Sequence, residues 1–236
     1  MKRTCAAALA VLLLLAQPFA LAGSDAPEVS AGDVVAFGSY EQDNDPANGP
    51  EPIEWIVLET ADGKALLLSR YALDVRPYHP EAADVTWESC ALRSWLNGDF
   101  LQTAFNGTER QAILLTEVDN SDAQGSGEYD DVTGGSATSD LVFLLSCHEA
   151  CDLYFPNEED RICAATEYAL AKGAWTTETD LAEGRPATAW WLRSPGCLQE
   201  DALSVFSDGD LDDSGVYSGG TAVRPALWLN LESGLF

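Results

Sequence analysis

Trp190-Trp191-Leu192-Arg193-Ser194-Pro195-Gly196 is answered near the C-terminus by Val223-Arg224-Pro225-Ala226-Leu227-Trp228-Leu229. Both runs carry Trp and Leu beside a single Arg, the composition of a buried strand. Each holds a Pro where an edge, a bulge or a strand end tolerates a missing N–H donor. The pair predicts that the C-terminal half is built on two buried strands. Between them, Leu203 and Val205 alternate with Ser204 and Phe206 before Asp208-Gly209, so the intervening segment predicts a two-faced strand with a tight turn. If Leu203 and Val205 point inward, Ser204 and Phe206 share an exposed face next to the acidic turn Asp208 to Asp213, with Tyr217 joining from the following strand.

Upstream, the patterning is antiparallel β followed by short helices. Val34 to Phe37 forms a first strand. Asp62-Gly63, set between the apolar runs 53–59 and 65–69, signals a hairpin. Leu92, Trp95 and Leu96, then Leu101, Ala104 and Phe105, fall at helical spacing with Asn97-Gly98 as a break between them. Thr108 with Gln111 and Ser146 with Glu149 have capping-box spacing, and Asn106-Gly107-Thr108, although a glycosylation triplet, reads better as a helix cap. Residues 142–145 read as a buried strand, and a helix over 166–172 ends at Gly173. The stretch 120–140 is Ser-, Gly- and Asp-rich with little to bury, a length that in a compact domain marks function or disorder.

The N-terminus predicts export. Met1-Lys2-Arg3, an apolar run from Ala6 to Leu15 and Ala20-Leu21-Ala22 match a cleavable signal, with Gln17 and Pro18 interrupting the run before it reaches spanning length. Cleavage after Ala22 leaves a flexible polar leader to residue 32 and one globular domain over 33–231, secreted or extracytoplasmic, with no membrane insertion after the signal is removed. The net charge of −27 becomes more negative once Lys2 and Arg3 are lost, and such a field repels nucleic acid. With 46% hydrophobic residues and seven Trp, the acidity does not signal disorder.

The side chains that carry chemistry form no complete catalytic set. Cys147-His148-Glu149-Ala150-Cys151 places two thiols on one helical face, but no second ligand pair has zinc spacing. Five cysteines follow the signal, so at least one is unpaired, and Cys163 is within reach of either Cys147 or Cys151 with the connectivity left open. Asp119, Asp131 and Asp140, in and beside the long loop, are candidate calcium ligands against a reading as solvated acids, and no other cofactor is expected. Arg193 and Arg224 either clamp an anion or pair with buried carboxylates that hold their strands. An exposed aromatic beside carboxylates suits a sugar or a basic peptide. The candidate ligand face is therefore Phe206, Asp208, Asp210 and Tyr217 with Trp191.

Gly32 to Tyr40, Pro52-Ile53-Glu54-Trp55, Leu92-Arg93-Ser94-Trp95-Leu96-Asn97 and the two opening runs, taken in order, resemble an uncharacterised domain of exported bacterial proteins. That domain is similar to the formylglycine-generating-enzyme branch of the C-type-lectin-like fold. The resemblance implies a compact α+β domain with a small twisted antiparallel sheet, several short helices and long loops. It also implies a scaffold without oxidase chemistry, because Cys197 is the last cysteine and stands alone where the oxidases hold copper with a pair. The expectation is an exported, non-catalytic domain for a glycan or a protein or peptide ligand, the alternative being a hydrolase or a formylglycine-generating-like oxidase.

Overall fold

A computed structural model describes residues 29–127 and 131–235; the predicted signal, the first part of the leader and Tyr129 lie outside the described residues. The last leader residues are tied down, since Gly32 donates its N–H to the Val57 carbonyl and Ser30 to the Asp33 carboxylate. From there the chain forms β1 (Val34–Tyr40), β2 (Glu51–Ala61), β3 (Lys64–Ser69), β4 (Asp74–Val75), β5 (Thr116–Val118), β6 (Thr138–Asp140), β7 (Thr176–Ala182), β8 (Arg185–Thr188), β9 (Trp190–Pro195), β10 (Asp201–Val205), β11 (Leu211–Gly215), β12 (Ala222–Val223) and β13 (Ala226–Asn230). Short helices interrupt the series. The protein is a mixed α+β fold, mostly strands in several small sheets.

Two sheets carry the core. The first has the order β1-β2-β3-β13 and the second β11-β10-β9-β12-β4, with two separate hairpins, β5–β6 and β7–β8. Neighbours are antiparallel except β12 and β9, which run parallel through Ala222 and Trp190. The β2–β3 hairpin turns at Asp62-Gly63, both left-handed at φ 51° and 73°, as Asp-Gly demands. The run expected as one C-terminal strand is instead divided at Arg224-Pro225. Its first half, β12, joins the second sheet, and its second half, β13, joins the first. Pro225 supplies no N–H, so the ladder stops there and the chain changes sheets.

Fully buried indoles fill the space between the layers, and each finds a partner for its N–H. Trp55 donates to the Phe37 carbonyl at 2.7 Å, Trp87 to Asp140 at 2.9 Å, Trp190 to the Arg161 carbonyl at 3.2 Å and Trp191 to the Arg76 carbonyl at 2.9 Å. A buried aromatic removes a large apolar area from water, and a satisfied N–H removes the offsetting cost of a stranded donor. Each Trp therefore pins a remote segment as well as filling volume, three through a backbone carbonyl and Trp87 through the Asp140 carboxylate.

Three local expectations change. Asn97-Gly98 does not break the helix; Ala91–Trp95 and Leu101–Ala104 are joined by a wide turn over Leu96–Phe100. Asn97 turns inward instead, accepting from the N–H groups of Leu141 and Val142 and donating to the Val142 carbonyl. Asn106, not Thr108, caps the helix Gly107–Ala112, with Glu109 rather than Gln111 completing the box, because the Asn side chain reaches the first free N–H groups from outside the helix. Residues 142–145 are buried, but only Phe143 makes a β-bridge, to Ala226. The Ser146–Glu149 box and the Gly173 stop, at φ 95°, form as expected.

Candidate ligand-binding face and cleft

The β10–β11 hairpin is shaped by its turn. Phe206 donates its N–H to the Asp210 carbonyl at 2.8 Å, Gly209 donates to the Phe206 carbonyl, and the Asp208 carboxylate accepts from the Asp210 N–H at 3.1 Å. Gly209 has φ 95°, and a Cβ there would lie 2.0 Å from the Glu158 carbonyl oxygen. Only glycine allows that approach. The close contact seats the turn against the segment that begins the helix Glu158–Arg161.

On one side of the turn stands an aromatic pair. Phe206, half-buried, meets Trp175 edge-on with ring centroids 5.3 Å apart, and Trp175 is 46% exposed. Ser207 donates to Asp180 at 2.6 Å and ties the turn to β7. Trp175 was not among the residues singled out in the sequence. Its signal was available: Gly173-Ala174-Trp175-Thr176 puts a large aromatic between a helix stop and a polar strand, where there is little to bury it.

Beneath the turn lies a cleft of about 350 Å³, lined by Cys147, Cys151, Glu158, Arg161, Asp210 and Asp212 among others. Glu158, Asp210 and Asp212 form no ion pair among the described residues. Arg161 is 8% exposed and its Nε has no hydrogen-bond partner. Cys151 is pulled down to about 7, first by the hydrogen bond from the Cys147 thiol and then by the Arg161 guanidinium beside it. The same bond, with burial, pushes Cys147 well up, so the two thiols share one readily lost proton.

The predicted face is divided by the structure. Phe206, Asp208 and Asp210 are together in the turn. Trp191 is not part of any surface: it is 0% exposed, because β10 and β12 flank β9 and neighbouring elements cover both of its faces. Ser204 is buried for the same reason, so β10 has no solvent face. Tyr217 is 57% exposed but follows Gly215, at the opposite end of β11 from the turn, roughly 13 Å away along a five-residue strand.

The calcium candidates are likewise separated. Asp140 is 1% exposed and engaged by Arg93 Nε at 2.6 Å, Trp87 and Thr138, which leaves its oxygens no room for a cation. Asp119 caps the turn that follows it by accepting from Ser121 and Gln124, and Asp131 is exposed. Among the described residues, the acidic groups whose ligand atoms converge are Cys197, Asp201 and Asp213, and Glu41, Asp43 and Glu51. Cys197 has no second thiol beside it; Asp213, with Asp201, holds its thiol protonated, pushing it up to about 11.

Of Arg193 and Arg224, both buried, one meets its expected partner. Arg193 grips Glu149 with two nitrogens. Arg224 meets no carboxylate among the described residues: its Nε donates to the Ser69 carbonyl, and its guanidinium lies over Trp190 and against Phe155. Burial among aromatic rings lowers its pKa from the usual guanidinium range.

No curated protein and no solved structure matches the chain. Residues 62–231 match the model of one family, described as Domain of unknown function (DUF6273). That span runs from the β2–β3 turn to the end of β13 and includes the aromatic pair, the hairpin and the cleft, so the chain belongs to the DUF6273 family.

Proposed function

We propose that this is an exported, non-catalytic binding domain whose ligand surface is the β10–β11 turn and its flanks. The carrying observation is an aromatic pair, the exposed Trp175 and the half-buried Phe206, next to carboxylates at Asp208 and Asp210 that no cation of the described residues neutralises. A sugar ring or an apolar side chain stacks on the indole, while hydroxyls or an ammonium group bond to the carboxylates. The ligand class is a glycan, or a protein or peptide with basic residues. The charged start, apolar centre and small-residue end of the N-terminal sequence support export. On this reading the scaffold is of the C-type-lectin-like kind, in keeping with short helices and long loops around small sheets.

A glycan and basic-peptide array with the chain lacking residues 1–22 tests the reading. Binding that Trp175→Ala and Asp210→Asn each weaken at least about tenfold, without loss of fold, is expected. An array with no hits, or a hit indifferent to both substitutions, overturns it.

A further inference from the structure

Cys147 and Cys151 stand four residues apart at the start of the wide helical turn His148–Tyr154, and both line the 350 Å³ cleft. Cys147 is 4% exposed and its backbone N–H is held by Ser194 Oγ at 2.9 Å. Cys151 is partly exposed. Arg161 lies with them on the cleft wall, more than nine-tenths buried, with its Nε unpartnered and no ion pair to a carboxylate among the described residues. Arg224, likewise without a carboxylate among the described residues, is covered by aromatic rings, whereas Arg161 borders the cleft beside two thiols, where an anion can meet its charge. The group placed to be that anion is the Cys151 thiolate.

No other cysteine of the described residues lines the cleft, although Cys163 also lies near a buried guanidinium, that of Arg224. Cys90 is buried and its thiol is pushed up to about 12 by burial. Cys163 is buried and donates to the carbonyls of Arg70 and Ala164. Cys197 is exposed, yet Asp213 and Asp201 keep it protonated.

We propose that Cys147 and Cys151 are a redox-active dithiol, oxidised to an intramolecular disulfide by a low-molecular-weight disulfide entering the cleft. Cys151 Sγ attacks one sulfur of the small disulfide; the S–S bond breaks and its electron pair leaves with the second sulfur, which takes a proton to become a free thiol. Cys147 then loses its proton and attacks Cys151 Sγ in the mixed disulfide, and the remaining small thiol departs. The protein gives up two electrons and two protons, and the small disulfide becomes two thiols. A disulfide needs Cβ atoms about 4 Å apart, closer than the roughly 5–6 Å of residues four apart in an α-helix, so forming one across this wide turn requires the turn to tighten. A bond formed under that tension reduces readily, which suits cycling rather than permanent stapling. The dithiol stands whether or not the aromatic pair binds a ligand.

The test treats the reduced full chain with oxidised glutathione, blocks the remaining thiols in acid and maps each cysteine by peptide mass. The expected product is a Cys147–Cys151 disulfide. Cys147→Ser should instead accumulate glutathione on Cys151, and Arg161→Met should slow capture at pH 7 about tenfold. Recovery of Cys147 and Cys151 both blocked as free thiols, or glutathione settling on Cys197 ahead of Cys151, overturns the proposal. The wild-type map decides the matter even if a variant fails to fold.

Discussion

Arg193 on β9 closes on Glu149 with both terminal nitrogens, Nη2 lying 2.9 Å from Oε1, while the same guanidinium donates to the carbonyls of Leu144 and Asp119. One buried cation thereby joins the central strand, the start of the wide turn carrying the cysteines and the exit of β5. Glu149 is also the reciprocal member of the Ser146 cap, so cap and ion pair share a carboxylate.

Arg193 and Arg224, both buried, should behave differently when replaced by a shape-matched apolar side chain. Arg193→Met strips a carboxylate and two carbonyls of their partner and should cost about 3–5 kcal/mol. Arg224→Met leaves only the Ser69 carbonyl short of a donor and relieves an unpaired buried charge. It should cost at least about 2 kcal/mol less than Arg193→Met in denaturant titrations. Equal losses would refute the distinction.

Trp191→Ala should destabilise by about 3–5 kcal/mol, since it empties a fully buried site and strands the Arg76 carbonyl. Tyr217→Ala, at an exposed position away from the turn, should stay within about 0.5 kcal/mol. Thermal or chemical melts of the two variants check both figures.

Gly209→Ala combines a φ of 95° with a Cβ driven into the Glu158 carbonyl, and should cost about 2–4 kcal/mol. Gly49→Ala, at φ 84° in open space, isolates the conformational part and should cost about 1 kcal/mol. A Gly209 variant no worse than the Gly49 variant would mean that the turn does not rest on residue 158. The measurement is the difference between their unfolding midpoints.

Alkylation should follow thiolate fraction before exposure. At pH 8 Cys151, at about 7, is mostly thiolate, whereas Cys197, at about 11, holds roughly one part in a thousand in that form. Iodoacetamide should therefore label Cys151 first although Cys197 is the more exposed, and lowering the pH through 7 should slow the Cys151 reaction as its proton returns. Earlier labelling of Cys197, followed by peptide mass, would show that access outweighs ionisation.

Much of the architecture is legible in local chemistry. Asp62-Gly63 announces its hairpin because both positions need left-handed backbone, and Ser146 with Glu149 announces a cap because each side chain satisfies the other's N–H. The run at 190–195 is a buried strand because two Trp and a Leu leave no polar face. Such signals act between residues a few positions apart, so order along the chain contains them.

The site is less legible, because exposure and charge pairing are settled between residues distant in sequence. Trp191 lies in an apolar run and Trp175 before a polar strand, but it takes the enclosure of β9 between β10 and β12 to bury the first fully, while the second stays 46% exposed with Phe206 edge-on to it. Arg193 meets Glu149, 44 positions away, whereas Arg224 meets aromatic rings. Asp140 has the residue type and loop setting of a calcium ligand, but Arg93, Trp87 and Thr138 already occupy its oxygens. By itself the sequence determined the strands, turns, caps and acidic character, since these follow from neighbouring side chains and summed charge. The tertiary structure alone decided which aromatic faces solvent, which buried arginines lack a carboxylate and which thiols lie beside them, because each depends on packing between β9, β10 and segments brought in from far along the chain.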